Sequence, residues 1–404
     1  MEDRNTMHLV KNSRSNDDIN IIICGDFCPD NEIEKSCLKG NFSNIYNNAL
    51  NILKHKDISI VNLECTLTKR FNPIEKSGSN LIADPSCIHL LKYFDFDVVT
   101  LANNHILDHG KVGLKDTIDL CKKAGIDYVW AGEDLEDASK PLIIKIRDRT
   151  IGLLNFTEHE FSIADKKKAG ANPLDPIYNY YQILNIKGNV DYLIIIIHGG
   201  NEFNSLPSPR IVKTYRFFAD LGVSAIIGHH THCPSGYEIY NNVPIFYGLG
   251  NFLFYRENFK HNNWYYGYFV KLTLSNNAVK HFKIFPYYQS YKKMGLELMK
   301  GDDKKIFINK IQLYNEIIKN PELLENEWLK FCESKKTSYL IGLFGINKIR
   351  RKMLKINLFF KMMLRRKEVK SIFLNYIRCE AHRDVILEIL EREHSERSKS
   401  NAIY

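Results

Sequence analysis

Short apolar runs recur along the first 230 residues and predict buried β-strands. The runs, with the residues that end them, cover Ile19–Gly25, Ile58–Glu64, Phe96–His105, Thr150–Phe156, Tyr192–Gly200 and Val223–His230. Runs of this length that are rich in β-branched residues are typical of strands buried on both faces.

Segments with helical features separate these strands. Asp84 is placed to cap the helix that follows it, and Gly125 to end the helix that precedes it. A third helix is expected to start near Pro209 and to end at Gly222. Strands that alternate with helices predict an α/β domain with a largely parallel or mixed sheet.

The pattern changes at Gly236, where short strand-like segments follow one another directly. They cover 236–240, 243–250, 264–274 and 278–288, and Asn241–Asn242 and Asn276–Asn277 supply turn residues between them. After about Ser290 the chain is rich in Lys, Leu and Ile and helix-like. We therefore expect a loose tail over residues 1–17, one domain over 18–290 and a basic helical extension over 291–404.

Composition narrows the class of protein. Apolar residues make up 44% of the chain and charged residues 25%, which suits a globular fold and argues against wholesale disorder. The nine cysteines include no CxxC pair, so we expect a reducing compartment and no structural zinc knuckle. The N-terminal stretch lacks the apolar segment of a signal peptide, and no run of about 20 apolar residues occurs. We expect a cytoplasmic protein.

The formal net charge of +9 is concentrated late in the chain. Residues 347–378 contain eleven Lys or Arg and a single acid, Glu368, with apolar side chains at helical spacing. We favour helices that pack on the main domain with their lysines in solvent. The alternative is an amphipathic helix on anionic lipid, which would make the protein peripheral to the membrane. Nucleic-acid binding is not expected, because the aromatic residues lie on the apolar stripe.

Polar side chains end five of the predicted strands. The strand ends read Gly25-Asp26, Asn62-Leu63-Glu64, Asn103-Asn104-His105, His198-Gly199-Gly200-Asn201-Glu202 and Gly228-His229-His230-Thr231-His232. In open α/β sheets the carboxyl ends of the strands line a crevice where ligands bind. Mixed oxygen and nitrogen donors suit Mn²⁺, Fe or Zn²⁺ better than Mg²⁺ or Ca²⁺.

The spacing of these groups suits a pair of cations. Glu64 has two carboxylate oxygens and is able to bridge cations about 3.5–4 Å apart. His230 and His232 share one face if the segment is extended, and a turn there would send them to different metals. Each strand end taken alone has a structural explanation as a turn or a hydrogen-bonded core residue. Five in one domain favour a metal site that lowers the pKa of a bound water.

The ordered set of motifs resembles the CapA family of poly-γ-glutamate capsule biosynthesis proteins, whose domain is related to calcineurin-like metallophosphoesterases. The resemblance covers residues 18–290 and rests on the five strand ends, on Asp108 and Gly110, and on Tyr247-x-Leu249-Gly250-Asn251-Phe252. It implies a layered α/β sandwich of metallophosphatase type, with mixed sheets flanked by helices and a C-terminal helical extension.

The resemblance also implies roles for single residues. One metal ion would be held by Asp26, Glu64 and His232. A second would be held by Glu64, Asn104, His198 and His230. His105, oriented by Asp108, would act as an acid or contact the transition state. Further groups near the metals or the substrate would be Glu202, Asn251, His229 and Cys28, the last standing where the related phosphoesterases have a histidine.

Three functional hypotheses follow from this resemblance. The first is a metal-dependent hydrolase or transferase with two divalent ions (Mn, Fe or Zn). It would act on a phosphoester, or on an amide of an anionic polymer, in the synthesis of capsule polyglutamate or polysaccharide, in contact with the capsule synthesis machinery. The second is a non-catalytic factor that binds the polyanion for assembly or export. The third is a nucleotide phosphodiesterase.

Overall fold

Two mixed β-sheets flanked by helices form the core of the computed structural model, which describes residues 6–8, 18–42, 45–256, 259–289, 294–344 and 366–401. The strands in chain order are β1 (Thr6–His8), β2 (Ile19–Cys28), β3 (Tyr46–Asn47), β4 (Ile58–Leu63), β5 (Thr66–Leu67), β6 (Ile82–Ala83), β7 (Val98–Thr100), β8 (Asp127–Val129), β9 (Ala131–Gly132), β10 (Leu142–Ile146), β11 (Arg149–Thr157), β12 (Gly170–Ala171), β13 (Tyr192–His198), β14 (Ala225–His229), β15 (Tyr237–Tyr240), β16 (Val243–Phe246), β17 (Asn251–Phe254), β18 (Tyr266–Ser275), β19 (Ala278–Gln289) and β20 (Gly295–Leu298). The helices are α1 (Asn31–Leu38), α2 (Leu50–Lys54), α3 (Ile88–Tyr93), α4 (Gly110–Ala124), α5 (Leu135–Ala138), α6 (Pro176–Lys187), α7 (Pro209–Asp220), α8 (Gly301–Lys319), α9 (Pro321–Phe344), α10 (Lys367–Arg378) and α11 (Glu380–Asn401).

Each sheet combines parallel and antiparallel strands. The larger sheet has the order β3-β20-β19-β18-β2-β4-β7-β8, with β17 also paired to β2 and β1 to β19. The smaller sheet has the order β10-β11-β13-β14-β16-β15. Strands β2, β4, β7 and β8 run parallel in the first sheet, and β11, β13, β14 and β16 in the second. The predicted layered α/β sandwich of mixed sheets and flanking helices is confirmed.

Local sequence signals predicted several element ends correctly. The Asp84 side chain accepts a hydrogen bond from Ser86 N at the start of the 3-10 turn before α3, and Gly125 ends α4 with a left-handed φ of 66°. Ser208 caps α7, which begins at Pro209. Asn241–Asn242 joins β15 to β16, and Asn276–Asn277 joins β18 to β19. All four asparagines have positive φ, as two-residue hairpin turns require.

Short strands lie close to both expected limits of the domain. Within the predicted tail, Thr6–His8 pairs with β19, because that strand would otherwise leave backbone groups unpaired beyond its contact with β20. Beyond the boundary expected near residue 290, β20 pairs with β19 of the larger sheet, and the helices of the extension begin at Gly301. The remaining residues of the predicted tail lie outside the described ranges.

The C-terminal helices pack on one another and on the α/β domain. Helices α9 and α11 enclose a small apolar cluster that includes Trp328, Cys332 and Val385. Of the basic segment 347–378, residues 347–365 lie outside the described residues, and the rest includes α10. In the described ranges, no helix combines the length and the apolar character needed to cross a bilayer. All nine cysteines fall within those ranges, where they are buried and form no disulfide.

Polar contacts attach α11 to the α/β domain near the carboxyl ends of β11 and β13. Arg210 contacts both the buried Glu158 and Asp384. His159 Nδ1 lies 2.8 Å from Glu380 Oε1. Asn201, which follows β13, donates from Nδ2 to the carbonyl oxygen of Ala381 at 3.2 Å. The start of α11 is therefore held at the strand ends where the polar motifs lie.

Candidate metal centre

Five strand ends meet at one point between the two sheets. The larger sheet contributes Asp26 in β2, Glu64 directly after β4 and Asn104 after β7. The smaller sheet contributes the end of β13 and the loop after β14. Both of the mixed sheets that the resemblance implied therefore contribute to the site, and they face each other here. Ala102 N donates to Asn155 Oδ1 at 2.9 Å and links the end of β7 to β11 across the junction.

A close backbone approach fixes the position of Asp26. Strand β17 lies against β2 so tightly that a Cβ atom on Gly25 would stand 1.8 Å from the carbonyl oxygen of Gly250. That same carbonyl accepts a hydrogen bond from Asp26 N at 3.2 Å. Glycine is required at position 25, because any side chain would push the two strands apart. The same pairing of β17 with β2 places Asn251 next to Asp26.

The first group of donors consists of Asp26, Glu64 and His232. Their ligand atoms lie within 4.8 Å of one another, and all three side chains are buried. His232 Nε2 is 3.6 Å from Glu64 Oε1, and His232 Nδ1 is 3.6 Å from Asp26 Oδ2. Asn251 Oδ1 lies 2.9 Å from His232 Nδ1, so it accepts the ring proton there and leaves the lone pair of Nε2 directed toward Glu64.

The second group consists of Glu64, His198 and His230, whose ligand atoms also lie within 4.8 Å of one another. His198 Nε2 is 3.6 Å from Glu64 Oε1 and 3.0 Å from His230 Nδ1. The amide oxygen of Asn104 approaches the same His198 nitrogen at 3.0 Å. Nitrogen and oxygen donors therefore converge on both sides of Glu64.

Glu64 is shared by the two groups and is the least compensated charge in the site. It is fully buried, and within the described residues neither of its carboxylate oxygens has a hydrogen-bond partner. Burial, with added repulsion from Asp26 and Glu202, raises its pKa well above the usual range. A buried carboxylate of this kind is costly unless it is protonated or neutralised by a cation. The residues present thus fit divalent cations held on either side of Glu64.

The neighbours of Glu64 are in the charge states that metal ligands need. Burial would raise the pKa of Asp26, but His229, whose Nδ1 lies 3.2 Å from Asp26 Oδ1, together with His198 and His232, lowers it. Asp26 therefore stays ionised. Burial and the nearby His230 lower the pKa of His198, so its imidazole stays neutral and keeps a lone pair.

The loop after β14 separates two histidines that are close in sequence. His230 and His232 have left-handed φ values of 88° and 53°, which strain a residue with a side chain by about 1–3 kcal/mol each. The turn sends His230 into the second group and His232 into the first. Of the two arrangements that the spacing allowed, the splayed one is found.

A second polar cluster stands beside the two groups. His105 Nδ1 lies 2.6 Å from Asp108 Oδ2, which also accepts from Leu81 N at 2.5 Å. The other carboxylate oxygen of Asp108 contacts the buried ammonium of Lys76, which is also 3.1 Å from His105 Nδ1. Burial and the charge of Lys76 lower the pKa of His105. His105 is therefore neutral at neutral pH, and its Nε2 lies outside the pair with Asp108.

A cavity of about 370 Å³ opens onto these residues. From the α/β domain it is lined by side chains that include His105, His232 and Arg256, and from the helical extension by others that include Lys335, Tyr339, Tyr376 and His382. The guanidinium of Arg256 stacks 4.6 Å from the ring of Trp264. A larger cavity of about 580 Å³ beside α4 and α5 contains none of the donors described above. The smaller cavity is therefore the candidate site.

Of the remaining predicted residues, Glu202 lies at the cavity and Cys28 lies in the core. Glu202 is exposed and lines the cavity. Cys28 is fully buried and belongs to neither donor group among the described residues. Burial and a contact with Cys65 raise the pKa of its thiol. Cys28 therefore lies in the core, two residues after Asp26 in β2.

The sequence reasoning missed several residues of the site. Glu158 and Glu160 follow β11 and carry the same strand-end signal as the others, so the rule applied to every strand would have found them. Lys76 lies in an irregular polar segment with no pattern that marks it. Tyr339 and His382 come from helices distant in sequence, and no local signal connects them to the cavity.

Comparisons with known proteins bear on the α/β domain. The chain is 30% identical over 250 residues to the capsule biosynthesis protein CapA of Bacillus anthracis, covering 60% of this chain and 61% of that protein. It is 31% identical over 245 residues to the PGA biosynthesis protein CapA of Bacillus subtilis, covering 59% and 64%. The chain therefore spans less than two thirds of the length of these relatives.

Solved structures give looser matches. A hypothetical protein from Thermus thermophilus aligns with 67% of this chain and all of its own, at 12% identity and a TM-score of 0.43. The 5′-nucleotidase of Candida albicans aligns with 79% of this chain and 59% of its own, at 13% identity and a TM-score of 0.41. Similarity at this level does not bear on function.

The match to a protein family is more direct. The family described as bacterial capsule synthesis protein PGA_cap matches residues 20–256. All six candidate ligands lie inside that range, whereas the helical extension lies outside it. The match spans more than half of this chain, which therefore belongs to the PGA_cap family of bacterial capsule synthesis proteins.

Proposed function

We propose that this chain is a metal-dependent hydrolase or transferase of capsule polymer synthesis, acting on a phosphoester or on an amide of an anionic polymer. One observation carries the proposal. Glu64 is a fully buried carboxylate without hydrogen bonds from the described residues, and the Nε2 atoms of His198 and His232 each lie 3.6 Å from its Oε1. Burying such a group costs several kcal/mol, so the fold would hold it for a cation.

The donor sets suit two divalent ions of the Mn, Fe or Zn class. Asp26, Glu64 and His232 would hold one, and Glu64, Asn104, His198 and His230 the other. Such ions, when bound, would polarise a substrate oxygen and lower the pKa of a bound water toward neutrality. The chain's own contribution is to exclude bulk water from these donors and to fix the tautomer of His232 through Asn251.

His105 would move a proton at the reacting centre. Asp108 holds Nδ1, so Nε2 is the nitrogen that faces proton transfer. The neutral ring first accepts the proton that the attacking water releases, which the charge of a bound anionic substrate would favour, and then donates it to the leaving group. Burial and Lys76 lower the pKa of His105 and so keep that proton labile.

The polymer context comes from the family and its relatives. The Bacillus relatives are named for capsule and PGA biosynthesis, and a Mycobacterium tuberculosis relative, 29% identical over 208 residues, for polyglutamine synthesis. The cavity adds cationic groups, Arg256 and Lys335, near the donors. An anionic polymer and the machinery that makes it are therefore the proposed partners.

The test combines metal content with turnover. We expect the purified full chain to bind Mn²⁺, Fe²⁺ or Zn²⁺ and to cleave an aryl phosphodiester or the amide bonds of poly-γ-glutamate. The variant His198→Ala should lose the metal of the second donor group and with it turnover, whereas His89→Ala, on the exposed face of α3, should keep both. Wild-type protein that binds no metal and turns over neither substrate would contradict the proposal.

A non-catalytic polyanion-binding factor is the second candidate. It is favoured by Cys28, which lies in the core and leaves the first donor group with one ligand fewer than the second. Binding of polyglutamate with no cleavage of it, of the aryl diester or of a nucleotide panel would support this role. Cleavage confined to the nucleotides would instead support a phosphodiesterase.

A further inference from the structure

A third cluster of donors lies where the helical extension meets the α/β domain. It consists of Glu160, Cys379 and His382, whose ligand atoms lie within 4.8 Å of one another. We propose that this cluster is a further metal site, selective for zinc-like ions, that links the extension to the domain. The proposal concerns other ligands than those of the proposed catalytic centre and does not depend on turnover.

The three donors are held in place by their neighbours. Cys379 directly precedes α11, and His382 follows three residues later in the first turn of that helix. The residues around them are fixed to the domain: Glu380 by His159, the Ala381 carbonyl by Asn201, and Asp384 by Arg210. Glu160 follows β11, two residues after Glu158. The donors are thus positioned without any contribution from a bound ion.

The chemistry of the donor set points to zinc. A thiolate, an imidazole and a carboxylate are the ligand types that Zn²⁺ takes in tetrahedral sites, and Cys379 and His382 supply the first two at a C-x-x-H spacing. The ring of His382 is also oriented, because its Nδ1 lies 2.7 Å from the hydroxyl of Tyr339. Hydrogen bonds of this kind are usual behind metal-bound histidines.

The position of the cluster leaves one coordination site open to the cavity. Cys379 is buried, whereas Glu160 and His382 both line the cavity that opens onto the two groups around Glu64. Glu160 Oε1 is 3.9 Å from His230 Nε2, so the cluster adjoins the centre but shares none of its donors. Three protein ligands and an open position are typical of zinc sites that contact a substrate or water.

Cobalt substitution tests the proposal, because a thiolate bound to Co²⁺ gives a charge-transfer absorption in the near ultraviolet. We expect the full chain to show this band on Co²⁺ titration and to lose it in Cys379→Ser. Cys332→Ser is the matched control, since Cys332 is equally buried in the same helical unit but outside the cluster. It should keep the band, as should Cys28→Ser.

Two further variants keep the test decisive. Glu160 lies outside the helices, so Glu160→Gln should leave their packing intact while it weakens Co²⁺ binding at this site by more than about 10-fold. His198→Ala should keep the thiolate band although it disables the proposed catalytic centre, so failure of the two proposals is distinguishable. No band in the wild-type protein, or an unchanged band in a folded Cys379→Ser variant, would overturn the inference.

Discussion

The cavity has two walls that are built on different physical principles. The wall from the α/β domain carries fully buried polar groups, Asp26 and Glu64 among them, at the ends of hydrogen-bonded strands. The wall from the helical extension is attached by apolar packing and by side-chain ion pairs, and ion pairs such as Arg210 with Asp384 are partly exposed. Backbone ladders fix atoms firmly, whereas partly exposed ion pairs contribute less than fully buried ones and respond to pH and salt.

The two walls of the cavity are therefore expected to determine different properties of the protein. The family match covers the first wall and stops before the second. The donors that would hold metal at the proposed catalytic centre therefore belong to the shared domain, while Lys335, Tyr339 and His382 come to the cavity from outside it. We expect changes in the domain wall to abolish metal binding at that centre, and changes in the extension to alter access and stability.

The largest effect is expected from Glu64→Gln. Both donor groups lose their shared ligand, so activity and the affinity of this centre for Mn²⁺ should fall by more than about 100-fold. The metal-free protein should be no less stable, because Gln resembles the protonated Glu64 that its raised pKa favours. Thermal unfolding with and without Mn²⁺ checks both statements. A variant that is still stabilised by Mn²⁺ would show that the domain wall does not hold the ions through Glu64.

A smaller effect is expected from Asn251→Ala. Loss of this amide frees the His232 ring, which should weaken metal binding by about 10–100-fold while the second group is retained. Metal titration should therefore show one weakened and one unchanged class of site. Equal weakening of both would mean that the two groups act as a unit.

The extension should respond to Arg210→Ala. Glu158, which is buried, and Asp384 both lose their partner, at a cost of about 2 kcal/mol, less than for a fully buried pair because the arginine side chain is 27% exposed. We expect faster proteolysis within α10 and α11 and unchanged metal content at the domain centre. The matched variant Arg216→Ala breaks a pair with Glu238 inside the domain and should leave α11 protected. Equal protection of α11 in both variants would contradict this assignment.

The smallest effect is a dependence of docking on pH. Hydrogen bonding to Glu380 raises the pKa of His159, so the stability this provides is present below about pH 6.5 and is lost as pH rises through the raised value. Burial would raise the pKa of Glu380, but His159 lowers it, so its contribution is lost as pH falls through the lowered value. The protection of α11 against hydrogen exchange, relative to the intrinsic exchange rate at each pH, should be greatest between these limits.

The variant His159→Gln checks the direction of this effect. In this variant, the protection of α11 against exchange should no longer decline as pH rises, because position 159 no longer has a group that titrates. Protection that still declines from about pH 6.5 upward in the variant would assign the effect to another group.

Much of the domain was predictable because its signals are local. Apolar runs located β2, β4, β11, β13 and β14, and the caps at Asp84 and Gly125 located helix ends. The family resemblance implied six candidate ligands at the strand ends, and the structure places all six in the two groups around Glu64. That they bind metal stays a prediction. Short edge elements such as Thr6–His8 and β20 were missed, since their pairing depends on a distant strand.

The sequence by itself determined the strands, the turns and the kinds of donor that end each strand, because these depend on residues close together in the chain. The tertiary structure decided which strands of the two sheets meet at the site and, where the spacing alone left two arrangements open, that the loop after β14 divides its histidines between two groups. It alone brought Lys76 to Asp108 and His382 to Glu160. These pairings join residues from separate elements, whose distances are set by packing and not by any local pattern.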